Sequence, residues 1–385
     1  MEYHLQSSVI HSIENEDVCY ITQCDSRSSK YIAAVGSNNI VKLYDQTSHS
    51  IISVLKGHTD TIHQAKFIDD STLITCSSDR TIRIFNCDTA TQIKCIQQKE
   101  EVFSFDISGD IMAVAAGLTV VILDTKTWKQ IRCFDCHTGD VTRVMFHPNA
   151  PNKLFSCSMD GLINLYDLSI QDDDDAILYV MNGEHSVSTF GFFGASNQLI
   201  WSLSTTERLS IWSVEEGTRL REYGDLRTIL AEKNNQLEVN YFITCYYDQP
   251  SNNLYLFGGD FSGTGLLFQV TDDQVLPIGR LQNGHTELIR TMTWNKDVCI
   301  NTSHNNNNNK NNNNAYATNK SLTTIPYHFI HLQQKDHIMT TGEDGRLCFW
   351  INQTDFKNEL QQSPSTRNQS KITKSNTTRS NPYAK

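Results

Sequence analysis

No stretch of this chain is apolar for long enough to cross a bilayer. The longest, IMAVAAGLTVVIL at 111–123, has thirteen residues, whereas a spanning helix takes about 20. Gly117 and Thr119 interrupt it, which suits two short buried strands. A leader is missing as well: MEYHLQSSVIHSIENED has neither a basic start nor an apolar core, so no secretory signal is expected. Positive charge is scarce over most of the length. The net charge is -11, so the body should not attract phosphate backbones. The exception is the end, where Ser363 to Lys385 holds five basic residues and no acid. The eleven cysteines are odd in number and scattered through 385 residues, a chain too long to need disulfide staples. Reduced thiols in an intracellular protein, cytoplasmic or nuclear, are expected. Sequons such as those at Asn301, Asn352, Asn368 and Asn376 would matter only in a secreted chain.

A repeat is present instead. LITCSSDRTIRIFN (73–86), LFSCSMDGLINLYD (154–167) and IMTTGEDGRLCFW (338–350) each run from a short β-rich segment through a turn bearing Asp into an alternating strand. Each strand holds an aromatic six residues after the Asp: Asp79 and Phe85, Asp160 and Tyr166, Asp344 and Trp350. Alternation around Asp-Gly or Asp-Arg reads as a β-hairpin. Weaker copies end on Tyr44, Leu123, Trp212 and Phe268. The seven anchors are spaced 41, 38, 43, 46, 56 and 82 residues apart, close to the ~40–45 of a propeller blade apart from the longer final steps. The last interval contains the tract NNNNNKNNNN at 305–314. Ahead of three hairpins, GHTDTIHQAKF (57–67), CHTGDVTRVMFHP (136–148) and GHTELIRTMTW (284–294) pair a His with a strand that ends on an aromatic.

His, hairpin Asp and aromatic at these offsets resemble the WD-repeat β-propeller family, over nearly all of residues 15–351. Segments 140–176, 281–295 and 340–350 carry a closer, whole-chain likeness to one group within it. The resemblance implies an all-β fold: a single seven-bladed WD-repeat β-propeller, residues 1–351, for which LQSSVIHSI (5–13) would supply the closing N-terminal strand; the Ser/Thr/Asn-rich composition of 352–385 predicts a disordered basic tail. It also implies that the His bonds the Asp and a strand hydroxyl, to which the aromatic is tied. Carried over, the sets are His58/Thr75/Asp79 with Phe85, His137/Ser156/Asp160 with Tyr166, and His285/Thr340/Asp344 with Trp350. Phe85 departs from the pattern, having no N–H or O–H to contribute. Blades one, three, five and six lack a complete set and should depend more on packing.

Three motifs suggest chemistry, and each has a structural explanation. Cys133-x-x-Cys136-His137 has the spacing of c-type haem attachment, yet His137 belongs to a blade set and no second Cys-x-x-Cys exists. His137, Ser156 and Asp160 have the composition of a hydrolase triad, but the set recurs twice with Thr as the hydroxyl, and no Gly-x-Ser-x-Gly elbow is present. GGDFSGTG (258–265) has the glycines of a phosphate loop without its Lys. No enzyme, cofactor or metal site is therefore expected.

Insertions depart from a plain ring. DLRTILAEKNNQLEV suggests a short helix about residues 225–238 over the rim before blade six. Asp172–Asp175 reads as a solvated loop, or alternatively as a contact for a basic partner. The Asn-rich insertion at about 301–320 in blade seven is low-complexity and expected to be disordered. A propeller without grafted chemistry is expected to be a non-catalytic protein–protein interaction scaffold, a monomer within an intracellular complex and not at a membrane. One alternative is a substrate receptor of a cullin-type ubiquitin ligase, although Asp124 and Asp167 lack the following Arg that such receptors carry. The other is an RNA- or ribosome-precursor-associated factor acting through the basic tail.

Overall fold

A computed structural model of the chain describes residues 3–11, 19–233, 237–299 and 333–352. It contains seven antiparallel sheets of four strands each. Six are consecutive in sequence, with first strands beginning at Ile21, Ile62, Val102, Val141, Val187 and Tyr241. We number these blades one to six. Blade seven takes Ile289–Cys299, Gln333–Gly342 and Arg346–Asn352 from the far end, and its fourth, outermost strand is Tyr3–Ile10. Tyr3 lies opposite Asn352 and Ile10 opposite Arg346. First strands of successive blades meet around the centre, and blade one closes onto blade seven there. At that seam the Cys24 thiol lies 2.9 Å from the Thr291 hydroxyl.

The core is divided into seven layers, one between each pair of neighbouring blades. Between blades two and three, Ile74, Ile82 and Ile84 pack against Phe105, Met112 and Val114. Between six and seven, Phe257 and Leu267 pack against Ile338 and Trp350. Inner strands therefore have both faces covered, and Leu162–Asp167 (LINLYD) is buried at four successive positions. Outer strands such as Thr91–Gln97 are exposed nearly throughout.

The turn between second and third strands has a left-handed residue in every blade. Asn39, Arg80, Gly117, Gly161, Glu207, Gly263 and Gly345 all have φ between 55 and 87°. Only some are glycine, although a side chain there costs roughly 1–2 kcal/mol. These turns, and the connections between blades, emerge on one face of the ring, called here the turn face.

The helix before blade six occupies Leu226–Lys233, shorter than the 225–238 expected. Asp225 still belongs to the strand Arg219–Asp225, and its carboxylate accepts the Arg227 N–H at 3.1 Å, an N-cap that starts the helix one residue later. At the other end Leu237 and Val239 are buried outside the helix. Leu226 and Leu230 join them in the layer between blades five and six. Asp173 accepts two N–H groups of Arg132 at 2.9 and 2.6 Å, so the four-Asp loop is tied to the ring at one residue. The Asn-rich insertion and the tail from residue 353 onwards lie outside the described residues.

Removing residues 1–10 would leave Arg346–Asn352 with an unpaired edge, a template for pairing with another chain. The expected outcome is a lower melting temperature with concentration-dependent self-association, measured by light scattering after size exclusion. An unchanged monomer would show that the closing strand is dispensable.

Candidate functional site: three buried His–Asp–hydroxyl networks

Each polar set forms where the connection entering a blade crosses the end of that blade's second strand. In blade two, His58 Nδ1 lies 2.7 Å from Asp79 and Nε2 lies 2.7 Å from the Thr75 hydroxyl. In blade four, His137 stands 3.0 Å from Asp160 and 2.7 Å from Ser156. In blade seven, His285 stands 2.9 Å from Asp344 and 2.8 Å from Thr340. An ionised carboxylate can only accept, so Nδ1–H donates to it and Nε2 accepts the hydroxyl proton. The carboxylates also hold backbone: Asp79 accepts Thr59 N–H at 3.1 Å, Asp160 accepts Thr138 N–H at 2.9 Å and Asp344 accepts Thr286 N–H at 2.9 Å.

The aromatics separate the sets. Trp350 Nε1–H donates to Thr340 at 2.8 Å. Tyr166 O–H lies 2.8 Å from Ser156 and 2.8 Å from the Cys136 thiol. With the Ser156 proton committed to His137, Tyr166 donates to Ser156 and accepts from Cys136. Phe85 is buried and adds only packing. In blades four and seven the residue before the His matches the size of the aromatic. A Cβ at Gly284 would come within 2.5 Å of the Trp350 ring, whereas the smaller Tyr166 leaves room for Cys136.

This geometry accounts for two of the three chemical look-alikes, the Cys-x-x-Cys-His motif and the triad. Both His137 ring nitrogens are hydrogen-bonded within the blade, Nδ1–H to Asp160 and the Nε2 lone pair to the Ser156 hydroxyl, so no lone pair is left for an axial metal. Ser156, Thr75 and Thr340 are each 0% exposed, so no substrate can reach the hydroxyls. Among the described residues no cluster of three His, Cys, Asp or Glu could hold a metal ion, and no helix is long and apolar enough to cross a membrane.

Two polar links were not anticipated. Trp212 Nε1–H donates to Ser202 at 2.8 Å in blade five. The pair has the same ten-residue separation as Thr340 and Trp350, but no His or Asp accompanies it. In blade one, His11 Nδ1 lies 2.8 Å from the Tyr44 hydroxyl, with Ala34 where the other sets have a hydroxyl. The buried Lys42 donates to the His11 carbonyl oxygen. His11 stands ten residues before its strand rather than four, which concealed the correspondence.

Electrostatics follow burial. It pushes His58 and His137 below the usual histidine value, against the opposing pull of their Asp partners. His11 falls to about 3, through burial first and Lys42 second. Burial alone would raise Asp79, but hydrogen bonds from Thr81 and His58 outweigh it and hold the carboxyl low.

A family model described as WD domain, G-beta repeat matches residues 49–86 and 128–167, which contain the hairpins of blades two and four. The third complete set spans 55 residues from His285 to Thr340, against 17 and 19 in the other two, so the insertion breaks its contiguous pattern. The chain belongs to the WD-repeat family. It is 40% identical to WD repeat-containing protein 89 homolog of Dictyostelium discoideum, over 100% of this chain and 98% of that protein. It is also 34% identical to WD repeat-containing protein GTS1 of Arabidopsis thaliana, over 68% and 70% of the two chains. At 22% it is similar to serine-threonine kinase receptor-associated protein of Gallus gallus, over 54% and 58%.

Two outcomes are expected. Thr340→Val keeps the shape but leaves His285 and Trp350 without their shared hydroxyl, and should cost about 1–3 kcal/mol in urea unfolding. Thr75→Val strands only His58 and should cost less. The second concerns pH. His11 is neutral in the fold and gains a proton on unfolding, so its contribution is complete above 6.5 and is lost as pH falls toward about 3. At pH 5 the loss is about 2 kcal/mol. His11→Gln should therefore flatten the dependence of stability on pH between 7 and 5; an unchanged slope would remove His11 as its source.

Proposed function

We propose that this chain is a non-catalytic scaffold that holds other proteins within an intracellular complex, itself monomeric. The observation that supports this best is the turn face. Leu118, Met159 and Phe261, on the second-to-third-strand turns of blades three, four and six, are 44%, 42% and 61% exposed. Large apolar side chains at loop tips contribute nothing to the layers between blades, and loops on a rigid frame are where binding concentrates. One relative is itself named for association with a serine-threonine kinase receptor, in keeping with this reading.

The ligase-receptor alternative has less support. Asp124 is occupied locally, accepting the Thr127 N–H and O–H at 2.6 Å each. Asp167 likewise accepts from Ser169 at 2.9 and 2.5 Å. Both are turn-forming residues. The basic tail keeps a nucleic-acid reading alive, and salt separates it from the scaffold reading.

The test is mass spectrometry of proteins co-purifying with the tagged full chain, a version ending at Gln361, and the variant Leu118→Asp/Met159→Asp/Phe261→Asp, each in low and high salt. A salt-resistant set retained on truncation and lost in the triple variant is expected. A set lost with the tail, or with salt, would overturn the scaffold reading in favour of a basic tether.

A further inference from the structure

Each innermost strand has a β-bulge in its register against the second strand, one or two residues from its start. The residue after each bulge lines the central channel, a cavity of 590 Å³. The result is a ring of one side chain per blade: Gln23, Gln64, Ser104, Arg143 and, in blades five to seven, a threonine. All seven are polar, and Arg143 alone is charged.

Arg143 differs from the other arginines of the channel. Arg27 is paired with Asp25 at 2.8 Å, and Arg290 with Glu343. The acid on the wall, Glu207, accepts the Phe242 N–H at 2.9 Å. Arg143 donates to the Thr189 hydroxyl at 2.6 Å and has no carboxylate within ion-pairing distance among the described residues. Burial pushes its guanidinium below the usual arginine value, only partly opposed by neighbouring groups including Asp106; even so, an arginine stays charged near neutrality. Four of its five N–H donors therefore have no protein acceptor among the described residues. Gln64 has its oxygen committed to the Phe105 N–H at 2.9 Å, which leaves its amide N–H₂ to donate as well.

A fork of unpaired N–H groups in a recessed, otherwise uncharged ring matches a tetrahedral oxyanion, which can accept two parallel bonds. We propose that the central channel binds a small phosphate-type oxyanion on Arg143, independently of any protein docked on the turn face.

The test uses the full chain with inorganic phosphate, and chloride at matched ionic strength as the reference. Isothermal titration calorimetry should detect phosphate binding to the wild type. Arg143→Gln should weaken it at least tenfold, while Arg290→Gln, which alters a paired arginine of the same channel, should leave it within about twofold. Should Arg143→Gln not fold, phenylglyoxal labelling of the wild type with peptide mapping decides: phosphate should protect Arg143 and leave Arg27 labelled. Succinate separates phosphate from carboxylate recognition. Equal affinity in wild type and Arg143→Gln, no protection of Arg143, or binding of succinate without phosphate would each overturn the proposal.

Discussion

Everything in this fold depends on one constraint: a sheet with two apolar faces must be covered on both, and a ring provides that only when it closes. Each blade gives one face to the neighbour before it and one to the neighbour after. The closure pairs Tyr3–Ile10 with Arg346–Asn352, joining segments from opposite ends of the chain. Tyr3 reaches into the layer between blades six and seven, edge-on to Trp294 at 6.1 Å, and Val9 packs against the layer between seven and one. The strand thus removes an edge and helps seal the apolar layers on both sides of its blade.

Within the ring, packing supplies the bulk of the stability and hydrogen bonds set the geometry. A fully buried large apolar side chain is worth about 1.5–3 kcal/mol, and each layer between blades holds many of them. A single hydrogen bond contributes about 0.5–1.5 kcal/mol net. Blades can therefore lose the polar set and persist, as blade three does with Ala113, Val114 and Ala115 at 0% exposure on its second strand. Where the set is kept, its parts must be kept together, because a buried imidazole without its acceptor costs more than an apolar replacement. Trp350 with Gly284, and Tyr166 with Cys136, show the same coupling extended to shape.

The sequence makes the repeating parts legible and hides the local ones. Asp, turn and aromatic recur at fixed offsets because every blade solves the same problem, so the blade number could be read from the repeat, whereas the bonding within the three sets came only from the family resemblance. Ser202 with Trp212 also had the right separation, but without the His and Asp around it the pair has no distinguishing context. His11 was concealed by six extra residues ahead of blade one. The bond from Arg132 to Asp173 joins neighbouring blades across 41 positions, with no motif to mark it. Least legible is the channel ring, since a β-bulge is set by pairing with the next strand, and one polar residue every forty or so forms no pattern along the chain.

These features separate the parts of the molecule that can change from those that cannot. The His, Asp and hydroxyl groups, which most resemble catalysts, are consumed in holding connections to blades and are shut away from solvent. Chemistry available to a partner is left at two places the layers do not need. On the turn face, side chains at left-handed turn positions or beside them can vary without disturbing the core, provided the backbone strain is tolerated. In the channel, the bulged inner strands leave a polar throat, where the Arg143 guanidinium has no carboxylate partner among the described residues. Removing Arg143 should thus change what the channel holds while leaving the seven layers intact, and altering Leu118, Met159 and Phe261 should change what the rim holds while leaving both.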